Sequence, residues 1–215
     1  MSQAILDRIL KEKVVAIVRG ISSGRITELA EALEKGGIVC MEITFDQSSR
    51  EGIKNTLASI SSLKEKFGDR LCIGAGTVMS AEQVRQAVEA GAEYMISPDV
   101  NREVIEETKK QGKISIPGAL TPTEIAQAYA YGADVVKVFP AGVLGAAYMK
   151  AVKAPLKHIP MFAVGGISAD NCGEFLKAGA AGIGAGGNLV SAKLLESGQT
   201  DEIVKTAAAY AAAVK

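Results

Sequence analysis

The sequence predicts an α/β protein built as a (β/α)8 TIM barrel with an extra N-terminal helix. Three observations lead there: eight short β-branched runs, helical patterns between them, and glycines at the helix ends. The runs are KVVAIVRG (13–20), IVCMEITF (38–45), RLCIGAGTV (70–78), EYMISP (93–98), KISIPG (113–118), DVVKVFP (134–140), PMFAVGG (160–166) and AGIGAGG (181–187). They return at roughly 20 to 35 residues, the spacing that a parallel strand and its return helix need. Between them, SAEQVRQAVEAG sets Val84, Ala87 and Val88 on one helical face, with Ser80 placed to cap its start. Gly36, Gly91, Gly132 and Gly179 follow such stretches, where a glycine can close a helix in the left-handed conformation. Eight such units in 215 residues imply one barrel domain spanning 1–215. A doubly wound open sheet is the alternative, but no GxGxxG opens a helix after the first strand.

The ends and the composition narrow the class. MSQAILDRILKEKVV has charges among its apolar positions and reads as an amphipathic helix, unlike a signal or transit peptide. TDEIVKTAAAYAAAVK reads as a final helix starting at Thr200 or Asp201 and covering the barrel. Uncharged runs are broken by glycine and fall short of the roughly 18 residues of a spanning helix, so a cytoplasmic protein without a membrane partner is expected. Lys plus Arg (24) balances Asp plus Glu (24), leaving no global field to recruit nucleic acid. A hydrophobic content of 48% with 5% aromatics, no Trp and 23 Gly suggests a Val/Ile/Ala core cut by tight turns. Cys40, Cys72 and Cys172 are odd in number and lack CxxC spacing, so they read as reduced, buried thiols. The lone histidine, His158, reads as a surface or turn residue. One histidine and no paired cysteines argue against a zinc site or a Ser-His-Asp triad, and no metal or cofactor is expected.

In such barrels the chemistry gathers at the carboxyl ends of the strands. Lys137 lies among Val135, Val136, Val138 and Phe139, with only Asp134 as a local opposite charge. Glu42 and Thr44 share a strand face, as do Val135, Lys137 and Phe139. If both faces point inward, Glu42 and Lys137 approach each other across the mouth. One reading is a structural ion pair, although burying two charges carries a large desolvation cost. The other is an amine able to attack a ketone and form an imine, with Glu42 moving protons. Gly165-Gly166 and Gly186-Gly187 end the seventh and eighth runs and could offer backbone N–H groups to a phosphate. NLVSAKLLESG, after the second pair, could open a short helix facing it. Arg19 ends the first run and suits a carboxylate by bidentate contact, or is simply a solvated arginine. Thr77 follows two small residues and brings a hydroxyl where the backbone can approach a ligand; Thr44 offers another.

Taken in order, EITF, GAGTV, ISP, IPG, KVFPAG and VGGIS closely resemble the 2-keto-3-deoxy-6-phosphogluconate (KDPG) and 4-hydroxy-2-oxoglutarate (KHG) aldolase family. That family also includes 2-dehydro-3-deoxy-6-phosphogalactonate aldolases. The likeness runs from about Val14 to about Val190. It implies a homotrimeric, metal-independent class I aldolase that splits a phosphorylated 2-keto-3-deoxy sugar acid into pyruvate and glyceraldehyde 3-phosphate. By the same likeness Lys137 forms the imine and Glu42 shuttles protons. Thr77 and Pro98 line the pyruvate pocket, Phe139 walls the imine, and Gly165 and Gly166 belong to the phosphate site. Two positions depart from the pattern. Asp46 stands where some members have a carboxylate-binding arginine, a role reassigned here to Arg19; Gly187 stands where many have a serine. The expected reaction is KDPG cleavage, with KHG, the phosphogalactonate epimer or oxaloacetate as other substrates of the same site. A metal-dependent phosphosugar epimerase and a non-catalytic phosphate-binding protein are the rivals of different class.

Overall fold

The computed structural model describes residues 2–215. The β-branched runs become nine parallel strands: β1 (Val14–Val18), β2 (Cys40–Thr44), β3 (Cys72–Gly76), β4 (Tyr94–Ile96), β5 (Ile114–Ile116), β6 (Gly118–Ala119), β7 (Val136–Val138), β8 (Met161–Val164) and β9 (Gly182–Ala185). Their order is β5-β4-β3-β2-β1-β9-β8-β7-β6. The two ends of that order, β5 and β6, are one run interrupted by Pro117, which has no N–H for the ladder. The Lys137 N–H donates to the Pro117 carbonyl at 2.9 Å, carrying the pairing across the break. Nine strands therefore fill eight positions of a nearly closed barrel, as the eight runs predict.

The helix α1 (Ser2–Glu12) precedes β1; α2 (Ile26–Lys35), α3 (Arg50–Phe67), α4 (Ala81–Glu89), α5 (Arg102–Lys110), α6 (Pro122–Ala130), α7 (Ala141–Lys153) and α8 (Cys172–Lys177) lie between strands, and α9 (Ala192–Glu196) and α10 (Thr200–Ala213) follow β9. Ser80 caps α4 as the sequence suggests, its hydroxyl accepting from the Gln83 N–H at 3.2 Å. Where α2 ends, the left-handed residue is Gly37 (φ +89°) rather than Gly36. Gly36 serves another purpose: a Cβ there would lie 2.4 Å from Ala207 Cβ, so its absence lets α10 settle against α2.

Strand alternation separates two cores. Ala16, Val18, Met41, Ile43, Ile73 and Val136 face the helices. Val15, Cys40, Cys72, Tyr94, Ile114, Ile116, Val135 and Phe162 fill the barrel interior. Ile9 of α1 joins that interior cluster with no exposed surface, and Ile5, Leu6 and Leu10 pack beside it. The extra helix therefore plugs the barrel, and burying Ile9 alone contributes about 1.5–3 kcal/mol. Cys40 and Cys72 are register partners on β2 and β3 and both are free thiols. The contact with Cys72 and then burial push the Cys40 pKa well up, which suits the inert role expected of it. Among the described residues no helix is long and apolar enough to cross a membrane.

Candidate active site

Lys137 is where strand alternation places it. Its neighbours Val136 and Val138 pack outward under the helices, while Val135 and Lys137 turn to the interior. The lysine is buried, 8% exposed, and its Nζ stands 5.2 Å from the centroid of the Phe139 ring. Asp134, its nearest acid in sequence, is occupied elsewhere. Its carboxylate takes both Lys109 contacts, at 2.6 and 2.7 Å, and the Ser115 N–H at 2.8 Å.

Glu42 rises from β2 into the same cavity, 2% exposed. Its Oε2 is buried with no hydrogen-bond partner, and the carboxylate forms no ion pair with Lys137. Burial raises the Glu42 pKa above the ordinary carboxylate value, with Lys137 and then Arg19 opposing that shift. An unpaired buried acceptor costs about 1–3 kcal/mol, so the arrangement is poor as a structural device and suited to a group that exchanges protons.

The room for Glu42 comes from β3. A Cβ on Gly76 would lie 1.8 Å from Glu42 Oε1, and one on Gly74 would lie 2.2 Å from the Tyr94 ring. Two glycines on one strand face thus admit side chains from β2 and β4, and Tyr94 completes the layer by donating to the Met41 carbonyl at 2.6 Å. The obstacle at Gly76 is the flexible end of a side chain, so Gly76→Ala should displace the carboxylate rather than unfold the barrel. Its expected cost is about 10²–10⁴-fold in kcat, as for loss of a general acid-base group, with a melting temperature close to wild type. Parallel kinetics and thermal melts check this.

The cavity measures about 490 Å³. Arg19, Glu42, Thr77, Pro98, Lys137, Phe139, Gly165, Gly166, Gly186 and Gly187 all line it. Ile17, Val164, Ile167, Gly184 and Asn188 complete the wall. Sequence reasoning did not single out these five, although Ile17 stands two residues before Arg19 and Val164 one before Gly165. Thr44 stands apart. Its hydroxyl donates to the Val18 carbonyl at 3.1 Å, and it borders an adjoining recess with Arg19 and Thr77. Asp46 borders that recess as well, its Oδ1 accepting from the Ser48 N–H at 2.9 Å and hydroxyl at 2.6 Å. Those bonds hold the Asp46 carboxyl below its ordinary pKa. Arg19 reaches Thr77 Oγ1 at 3.2 Å, so the cation and hydroxyl form one unit at the cavity edge.

The glycine turns after β8 and β9, which are neighbouring strands, line the same cavity. Gly165 and Gly166 adopt φ of +88° and +74°, a pair of left-handed residues that side chains would strain. The carbonyls there are all engaged: Gly165 by the Gly142 N–H at 2.7 Å, Gly166 by Asn171 Nδ2 at 3.0 Å, and Ile167 by Asn188 Nδ2 at 3.2 Å and the Tyr210 hydroxyl at 2.9 Å. Among the described residues, the N–H groups of Gly166, Gly187 and Asn188 donate to no protein acceptor. Free donors on two adjacent turns can receive an oxyanion. The helix expected to assist them does not face the site from its first turn. It is the five-residue α9, beginning only at Ala192, and Ser191 already caps its Leu194 N–H at 3.3 Å.

Residues 5–206 match the family described as "KDPG and KHG aldolase". The chain belongs to that family. It is 35% identical over 206 residues to the 2-dehydro-3-deoxy-6-phosphogalactonate aldolase of Escherichia coli K12, covering 95% of this chain and 94% of the relative. It is also 35% identical over 176 residues to the 2-dehydro-3-deoxy-phosphogluconate aldolase of Treponema pallidum, covering 80% and 79%. The native KDPGal structure superposes with a TM-score of 0.84 at 33% identity, over 94% of this chain and 93% of the other. The KDPG aldolase of Legionella pneumophila, with pyruvate captured as a covalent carbinolamine, superposes at 0.84 and 27% identity over 96% of each chain. The protein is thus an enzyme of the lyase class, a KDPG/KHG-type class I aldolase. Among its described residues no group of three or more His, Cys, Asp or Glu side chains is placed to hold a metal ion.

Proposed function

We propose that this aldolase cleaves a 2-keto-3-deoxy-6-phosphohexonate, the gluconate or its galactonate epimer, into pyruvate and glyceraldehyde 3-phosphate through an imine on Lys137. One observation carries the reading: a buried amine and a buried, unpaired carboxylate share a cavity that is also lined by free N–H donors. Lys137 Nζ adds to the C2 ketone, and loss of water gives a protonated imine that accepts electrons. Glu42 takes the proton of the C4 hydroxyl, directly or through water, the C3–C4 bond breaks, and glyceraldehyde 3-phosphate leaves. The remaining enamine takes a proton at C3 from the same carboxyl group, and water releases pyruvate and the free lysine.

In this scheme Arg19 and Thr77 receive the substrate carboxylate, Pro98 and Phe139 wall the imine, and Thr44 supports the edge through Val18. The phosphate lies against the turns of Gly165, Gly166, Gly186 and Gly187. The resemblance to members of both specificities supports the substrate class and leaves the epimer to assay. Pyruvate release should be measured on the gluconate and galactonate epimers and on unphosphorylated 4-hydroxy-2-oxoglutarate. The phosphorylated acids are expected to react faster. Equal rates on all three would remove the phosphate from the proposal.

Gly187 gives a sharper test. A Cβ there meets nothing within 4 Å, so Gly187→Ser should be accommodated. One added hydrogen bond to a charged group contributes roughly 1.5 kcal/mol, so kcat/KM for the phosphorylated substrate should rise about tenfold against the unphosphorylated one. The homotrimer implied by the family resemblance belongs to the same proposal. Sedimentation equilibrium should return three times the mass of one chain.

A further inference from the structure

Thr77 holds a conformation its residue type resists. Its φ is +53°, and it and Lys13 are the non-glycine residues with positive φ among those described. A β-branched side chain in that region is an outlier, retained only where the surroundings enforce it. Here they act at successive backbone groups. Gln47 Nε2 donates to the Thr77 carbonyl at 2.7 Å, the Val78 N–H donates to the Ile96 carbonyl at 3.1 Å, and the Met79 N–H donates to Gln83 Oε1 at 2.8 Å.

The two glutamines also close on each other. Gln47 Nε2 reaches Gln83 Oε1 at 3.1 Å, and Gln83 Nε2 reaches Gln47 Oε1 at 2.7 Å. Each amide orientation is fixed by a main-chain partner: the Thr77 carbonyl requires a donor and the Met79 N–H requires an acceptor. The pair also joins the loop after β2 to the start of α4, the two segments flanking the Arg19–Thr77 contact.

We propose that Gln47 and Gln83 are positioning residues that hold Thr77 in its left-handed conformation and so keep its hydroxyl and Arg19 arranged for the substrate carboxylate. Neither glutamine touches the cavity that holds Lys137, so both act through Thr77. The inference rests on the imine chemistry proposed above and on Thr77 meeting a carboxylate.

The test compares two ketones in borohydride trapping at Lys137: pyruvate, which has a carboxylate, and hydroxyacetone, which does not. In Gln47→Ala, an exposed position, the pyruvate concentration for half-maximal trapping is expected to rise about tenfold, equivalent to ~1.4 kcal/mol. The hydroxyacetone value should move less than about twofold, and kcat at saturating sugar acid should change far less than KM. Gln83→Glu keeps the acceptor for the Met79 N–H but replaces the donor to Gln47 Oε1 with a second oxygen, so it should show the same pyruvate-selective rise. An unchanged pyruvate value in Gln47→Ala, or equal shifts for both ketones, would overturn the positioning role. Wild-type protein that forms no adduct with either ketone would overturn the imine reading itself, and the clamp's role with it.

Discussion

Lys137→Met should lose cleavage activity by a factor on the order of 10⁶, the scale seen when a covalent nucleophile is removed, while the barrel stays folded. Methionine fills similar space and needs no ionic partner. The lysine it replaces is 8% exposed and forms no ion pair, and without its charge the buried Glu42 carboxyl holds its proton more readily and stays neutral. Asp134 remains neutralised by Lys109. Unchanged thermal melting with abolished pyruvate release is the expected pair of results. A folded Lys137→Met protein that still cleaved substrate would mean that the lysine serves structure and the chemistry lies elsewhere.

Glu42→Gln should lower kcat by about 10²–10⁴-fold, the usual contribution of a general acid-base group. Its stability should move the other way. Burial raises the Glu42 pKa in the folded state, so the native protein binds a proton more readily than the unfolded chain. Between the ordinary carboxylate pKa of 4.5 and the raised native value, wild-type stability therefore falls as pH rises. The neutral amide is exempt. The melting temperature of Glu42→Gln should exceed that of wild type above this window, and the gap should close as pH drops below it. The acid limb of wild-type kcat should likewise lie above the ordinary carboxylate pKa. A gap that widened toward low pH would show that the cations beside Glu42 outweigh its burial.

The sequence carried the barrel because each strand is a short β-branched run bounded by a capped helix, and both signals are local. It also located the chemistry, since a lysine inside Val-Lys-Val has few reasons to be there and strand alternation aims it inward. Counting eight runs for nine strands is a matter of one residue: Pro117 interrupts the ladder without ending the strand.

What was harder to read depends on contacts between strands. Gly76, one of the two small residues before Thr77, reads as a place for a ligand to approach, yet with Gly74 it makes room for Glu42 and Tyr94. A period-two glycine pair leaves one strand face bare, and that was the available signal that neighbours must fill it. The Thr77 conformation depends on Gln47 and Gln83, which are close only in the fold. Thr44 shares its strand face with Glu42, but one turn of the pleat further along its hydroxyl meets the Val18 carbonyl. The segment after Gly187 suggests a short helix opening at the phosphate, but Ser191 caps a helix that starts only at Ala192, past the glycines.

The central claim is that substrate becomes covalently attached to Lys137. The most direct measurement is borohydride reduction in the presence of pyruvate, followed by peptide mass spectrometry across 133–142. The expected result is a reduced pyruvate adduct on Lys137, absent from Lys137→Met. An unmodified Lys137, under conditions in which the enzyme turns over substrate, would contradict it.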